Sequence, residues 1–206
     1  EAATARLPRA KCRVVGTPVR EPFLRVFRPL DSLKPPYRLL VLGGSGGARA
    51  LNDALLALAP GLLDQFPDWE IVHQTGLRDF EELLKADQHA RHHLRPFIEA
   101  VDMELEQASL VISRSGASTC AELKACGRPA LLVPFPASAG DHQRLNARAM
   151  AMSGQGVVVE QGGGFVNRLQ TELVRLMADP EPRLGLAKPE PNRAVELCLW
   201  DLASGI

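Results

Sequence analysis

The sequence predicts an α/β domain: a Rossmann-like, mostly parallel sheet with helices on both faces. Three observations predict it. Apolar runs of strand length alternate with amphipathic runs of helix length. The apolar runs look buried on both faces, as parallel strands are. The joints between them are short and marked by glycine or proline. Parallel strands need crossover connections, so repeated strand–helix–strand alternation closes as a sheet covered on both sides.

The elements follow in order. A short strand is expected at residues 12–15, then an irregular, proline-rich stretch at 17–36 that reads as a lead-in or linker from a preceding domain. The main sheet opens at 38–42 and passes through a run of glycines into a helix at 48–59. Strand 70–73 leads to helix 78–86, strand 94–98 to helix 101–108, and strand 110–113 to helix 119–126. Strand 130–133 passes through the loop 134–140 to helix 142–152, and strand 157–160 leads to helix 166–177. A last helix is expected at 192–203, where Val195, Leu199 and Trp200 form an apolar face suited to packing rather than to a membrane anchor. Residues 1–36 are thus a lead-in and 37–206 a single α/β domain. The helical-looking opening at residues 1–5, without a methionine, is what a fragment or excised domain would show.

Composition narrows the function classes. The chain has 206 residues, 46% of them hydrophobic and 23% charged, which suits one sizeable domain with a real core. Lysine plus arginine equals aspartate plus glutamate, 24 against 24, so no global field draws nucleic acid or an anionic membrane. Any anion must be bound locally. Cys12, Cys120, Cys126 and Cys198 are scattered, without the spacing of a zinc site or a disulfide framework, and read as small buried hydrophobes in a reduced compartment. No apolar run reaches the roughly 18–20 residues a bilayer-spanning helix needs, and the chain reads as cytosolic.

Three constellations carry chemistry. Gly43, Gly44, Ser45, Gly46 and Gly47 link a strand to a helix beginning at Ala48. Glycines let an anion approach peptide N–H groups, and a helix N-terminus adds unpaired donors and partial positive charge; diphosphate is the natural guest. The spacing is neither a Walker A loop nor a clean dinucleotide fingerprint, and a tight turn without a ligand would have the same sequence. The second group is Arg114, Ser115, Gly116, Ala117, Ser118 and Thr119, followed by Glu122. The hydroxyls are candidate helix caps, and Glu122, a turn further on, can accept from vicinal ribose hydroxyls or merely complement the helix dipole. The third is Asp141, His142 and Gln143 with Asn146. Gln143 and Asn146 share a helix face and could read sugar hydroxyls, or the group could be a helix start capped by Asp141.

Each group stands alone weakly. All three follow the C-terminal end of a predicted parallel strand, where ligands bind in open α/β sheets. Together they fit a ligand that is anionic in the middle, ribose-bearing at one end and hydroxylated at the other: a nucleoside diphosphate sugar. His73 reads as a satisfied core histidine at a strand end, and the cluster His89, His92 and His93 as polar connecting chain rather than a metal site.

The sequence also resembles the MurG family of peptidoglycan glycosyltransferases. The resemblance rests on Gly16-Thr17-Pro18-Val19-Arg20, the glycine loop, His73-Gln74-Thr75-Gly76, Phe97-Ile98, Ser113 to Thr119 with Ala121-Glu122, and Asp141-His142-Gln143 with Asn146-Ala147. It implies the C-terminal half of a GT-B glycosyltransferase that takes N-acetylglucosamine from UDP. It further implies that Arg20 contacts the nucleotide, Ser45 approaches the diphosphate, and Ile98 lies against uracil. By the same resemblance Ala117 to Glu122 wrap the nucleotide, and Gln143 contacts the sugar. Two positions depart from the family: Gly46 stands where glutamine is usual, and Val101 where methionine is common, with Met103 displaced by two.

The expected function is therefore donor binding in an inverting transferase that glycosylates undecaprenyl-pyrophosphoryl-muramyl-pentapeptide. Partners would be UDP-N-acetylglucosamine and, through an N-terminal domain, the lipid-linked acceptor. The whole enzyme is expected at the inner face of the plasma membrane. The catalytic base is expected in that other domain, and no metal cofactor is implied because no paired acidic motif flanks the site. Alternatives are the donor half of another GT-B or two-subunit transferase, and a non-catalytic UDP-sugar-binding module. An NAD-dependent oxidoreductase fits poorly, since His73 stands where that fold wants a carboxylate.

Overall fold

The computed structural model describes residues 16–26, 28–44, 46–87 and 89–189. The expected strand 12–15, the expected helix 192–203, Cys12, Cys198 and Ser45 lie outside the described residues. Six parallel strands form one sheet: β1 (Tyr37–Leu42), β2 (Trp69–Gln74), β3 (His92–Arg95), β4 (Ala108–Ser113), β5 (Ala130–Leu132) and β6 (Gly156–Val158). Their spatial order is β3-β2-β1-β4-β5-β6. The chain therefore winds outward from β1 in one direction and then, from β4, in the other, which makes the β1–β4 junction a topological switch point.

Side-chain alternation along the strands divides the core in two. Leu39 and Val41 of β1, with Leu110 and Ile112 of β4, point to one face, where α2 (Arg49–Gln65) and α7 (Phe165–Ala178) cover them. Leu40 and Leu42, with Val111, point to the other face, beneath α5 (Ala117–Cys126) and α6 (His142–Met152). Leu51, Leu55, Leu169 and Leu173 are wholly buried, so truncating any one would cost about 2–5 kcal/mol. The remaining helices are α3 (Phe80–Ala86), α4 (Val101–Gln107) and α8 (Pro180–Leu186).

Several boundaries differ from the sequence expectation. Helix α2 continues past residue 59 through Pro60, because Leu62 and Leu63 on its inner face are buried and their packing outweighs the lost backbone bond. Strand β3 begins two residues early and stops at Arg95, since Pro96 has no N–H to continue a ladder. Helix α8 follows the Asp179 cap, whose side chain accepts from Glu181 N at 2.9 Å. The stretch 17–36 is not irregular throughout: it contains α1 (Glu21–Arg25) and a 3-10 turn at Leu30–Ser32. Phe23 of α1 is 1% exposed, and with Val19 and Val26 it belongs to the core under α5. This segment is packed against the domain.

Candidate functional site

The glycine loop leaves β1, and the chain leading to α5 leaves β4. The last residues of these strands are register partners, Leu42 with Ser113, so both connections emerge at one sheet edge beside the switch point. The loop is seated on a second turn. Gly47 (φ 75°) faces Thr75-Gly76 (φ 83° at Gly76) after β2; a Cβ on Gly47 would lie 2.6 Å from Thr75 O, and one on Gly76 the same distance from Gly47 N and Cα. Only glycine fits at either place, which gives the His73-Gln74-Thr75-Gly76 motif a physical reason. By contrast a Cβ on Gly46 would meet nothing within 4 Å.

Above the loop lies a cleft of about 710 Å³. Its walls include Gly43, Gly44, Gly46, Gly47 and Ala48 on one side and Phe135, Pro136, Ala137 and Gln143 on the other. Arg114, from the second group, also lines it, as do Arg49, Arg78, Asp79 and Gln161, none of which was singled out as a site residue from sequence. A signal for Arg49 existed: a cation at the first position of a helix opposes the helix dipole and needs carboxylates nearby. Arg49 has them, in a bidentate pair with Glu82 (2.7 and 2.6 Å) and a contact to Asp53 Oδ1 at 2.9 Å. Hydrogen bonding to Arg49 holds the Glu82 carboxyl below its usual value. Arg114 donates to Val133 O at 3.1 Å and to the side chain of Gln161, with its guanidinium 5.5 Å from the Phe135 ring centroid. Burial lowers its pKa, and it stays a cation.

The amide of Gln143 is oriented. Its Oε1 accepts from Phe135 N at 3.0 Å, so the Nε2 donors turn elsewhere, and among the described residues they have no partner. Asn146 is on the same helix but donates to Ser115 O at 3.1 Å, while Ser115 Oγ donates to Gln143 O at 2.7 Å. These bonds tie α6 to the β4–α5 connection. Gly116 is the residue at the N-cap of α5 and no side chain caps that helix, contrary to the expectation for Ser115, Ser118 and Thr119. Asp141 precedes α6 in a left-handed conformation (φ 59°), and instead of capping it pairs with Arg144 at 2.7 Å. A short polar side chain tolerates that backbone region better than most.

The remaining candidates are elsewhere. Arg20 Nη2 lies 3.1 Å from Glu122 Oε1 where α1 meets α5, so these two are brought together, but neither lines the cleft. Ile98 is 7% exposed and borders a separate depression shared with Phe97, Val101's neighbour Ala100, and Met103. Ser118 and Thr119 occupy the first turn of α5, with Ala117 opening it. The described residues contain no group of three or more His, Cys, Asp or Glu set to hold a metal ion. His73 is buried against Asn52 and His92; His89 and His93 pair at longer range with Asp64 and Glu70, both at 3.6 Å.

A doubly wound parallel sheet with a glycine-walled, arginine-bearing cleft at its switch point defines an open α/β domain with its cleft where such folds bind ligands. The family is narrower. The glycosyltransferase family 28 C-terminal domain matches residues 38–193, and the chain belongs to that family. A UDP-N-acetylglucosamine--N-acetylmuramyl-(pentapeptide) pyrophosphoryl-undecaprenol N-acetylglucosamine transferase of Sorangium cellulosum is 42% identical over 181 residues, 85% of this chain and 44% of the relative. The enzyme of that name from Alkalilimnicola ehrlichii is 40% identical over 210 residues, 94% of this chain and 57% of the relative. The crystal structure of Acinetobacter baumannii MurG superposes with a TM-score of 0.66 at 28% identity, over 86% of this chain and 52% of that one. The chain spans about half the length of the curated relatives it matches. The sheet is thus the Rossmann-like C-terminal half of a GT-B glycosyltransferase fold.

Proposed function

We propose that this chain binds UDP-N-acetylglucosamine as the donor half of an inverting glycosyltransferase that acts on undecaprenyl-pyrophosphoryl-muramyl-pentapeptide. The observation that carries the reading is the cleft itself. The glycine loop, three arginines and an oriented amide line one space at the switch point, in a chain of this family. Residues 37–206 would be the donor domain, and 1–36 the lead-in from a second domain that supplies the acceptor surface and the catalytic base.

In the transfer, the acceptor 4-hydroxyl attacks C1 of N-acetylglucosamine and UDP departs. Negative charge grows on the diphosphate, where loop amides and the α2 N-terminus would stabilise it without reorganising. Arg49 stands at that terminus with its charge already offset by Glu82 and Asp53. Gln143 Nε2 would donate to a sugar hydroxyl. Glu122 and Arg20 would meet the nucleoside, and Ser45 and Ile98 the diphosphate and the base, as in the family. No helix among the described residues is long and apolar enough to cross a membrane, and we place the whole enzyme at the inner membrane face through its lipid-linked acceptor.

Isothermal titration with UDP, UDP-N-acetylglucosamine, UDP-glucose and NAD tests the proposal. The expected order is UDP-N-acetylglucosamine and UDP binding, UDP-glucose weaker, NAD not at all. Preference for NAD, or indifference to the uridine nucleotides, would overturn it.

A further inference from the structure

The turn beneath the glycine loop is held by a buried hydrogen-bond chain that donor binding does not itself require. Asn52, on α2 and wholly buried, donates through Nδ2 to Thr75 O at 2.9 Å and to Asp79 Oδ2 at 2.8 Å. Both partners only accept, so the amide orientation is fixed and Oδ1 faces His73 Nε2 at 3.0 Å. That nitrogen must carry the proton. The Nδ1 of a neutral His73 lies 3.3 Å from His92 Nε2, in a ring pair stacked at 8°. The polarity of the chain follows from its anchors alone.

Its functional end is Thr75 O. The same atom is what a Cβ on Gly47 would strike, and Gly76 touches the backbone of Gly46 and Gly47. Asp79, the other anchor, lines the cleft and lies 3.8 Å from Arg49. Asn52 therefore grips the support of the loop and one wall of the cleft at once.

We infer that Asn52 and His73 are positioning residues for the diphosphate loop: they hold the Thr75-Gly76 turn under Gly47 so that the loop amides are aligned before an anion arrives. The benefit is preorganisation, which raises affinity by removing the cost of ordering the loop on binding. The inference rests on the donor-binding reading above, and its test separates the two.

Glutamine in place of histidine keeps a donor at the Nε2 position, whereas asparagine reproduces only the Nδ1 side. The 206-residue chain and its His73→Gln, His73→Asn and Asn52→Ala variants would be titrated with UDP by calorimetry and with uridine by NMR. His73→Gln should stay within about threefold of the parent for UDP, while His73→Asn and Asn52→Ala weaken UDP about tenfold and leave uridine unchanged. A merely structural role would lower the melting temperature and move uridine and UDP together. Equal UDP affinity of the two His73 variants, or parallel loss of uridine and UDP, overturns the inference. Failure of the parent chain to bind UDP overturns the donor reading and this inference with it. Should Asn52→Ala not fold, the His73 pair decides.

Discussion

Gly46 and Gly47 are neighbours with opposite tolerances. Gly47→Ala places a methyl 2.6 Å from Thr75 O at a φ of 75°, so backbone must shift and the loop must strain. A loss of more than about 1–3 kcal/mol is expected, read as a lower denaturation midpoint, together with weakened UDP binding. Gly46→Gln meets open space and restores the side chain usual in the family. Its stability should stay within about 0.5 kcal/mol of the parent, or rise slightly because the unfolded chain loses freedom, and UDP-sugar should bind more tightly. Thermal melts and calorimetry on both variants check the contrast; equal destabilisation would show that the loop is not seated as described. Legibility at this scale is uneven. The glycine loop and Gln143 could be picked from residue type and position. Arg78, Asp79 and Gln161 could not, because nothing in the chain says that the connections after β2 and β6 bend toward the same cleft.

Secondary elements were readable where burial and backbone preference agree. Strands β1, β2, β4 and β5 lie within two residues of expectation because each holds buried apolar residues at its centre, and helices α3 to α6 fall within two residues of the expected helical segments. Helices α1 and α8 were not seen. Each is short and carries proline, and each exists because of packing or a cap rather than propensity: Phe23 is buried under α5, and Asp179 caps α8. Between α2, β2 and β3 the fold buries two imidazoles. Burial, with the neighbouring His92, lowers the His73 pKa to about 3, and burial outweighs Asp87 in lowering that of His92. The Nδ1 of His92 lies 2.9 Å from Asp87 Oδ2, though out of line for a good hydrogen bond. Unfolded, these rings take up protons below their usual value near 6.5; folded, His73 stays neutral until about pH 3. Stability is thus fully present above about pH 6.5 and declines as pH falls through that window, by up to about 1.4 kcal/mol per pH unit for each proton excluded. Urea midpoints between pH 7.5 and 4.5 should show the decline, and His73→Gln should flatten it. A variant as steep as the parent would place the acid sensitivity elsewhere.

At the scale of the molecule, the sheet order was only partly foreseeable. Alternating strands and helices predict a parallel sheet, but which strand returns beside β1 depends on long-range packing, and β4 does so here. That return creates the switch point and so the cleft. If the catalytic base and acceptor surface belong to a second domain, this chain alone should bind donor yet transfer no sugar to lipid-linked muramyl-pentapeptide above background. A radiolabelled transfer assay with the isolated chain decides, and appreciable turnover would refute the division of labour. The sheet's margins bear on how such an assay can be run. Its outermost strands are β3 with four residues and β6 with three, so little unsatisfied ladder is offered to another chain. Intermolecular strand pairing, a common route to aggregation of sheet proteins, has little template here.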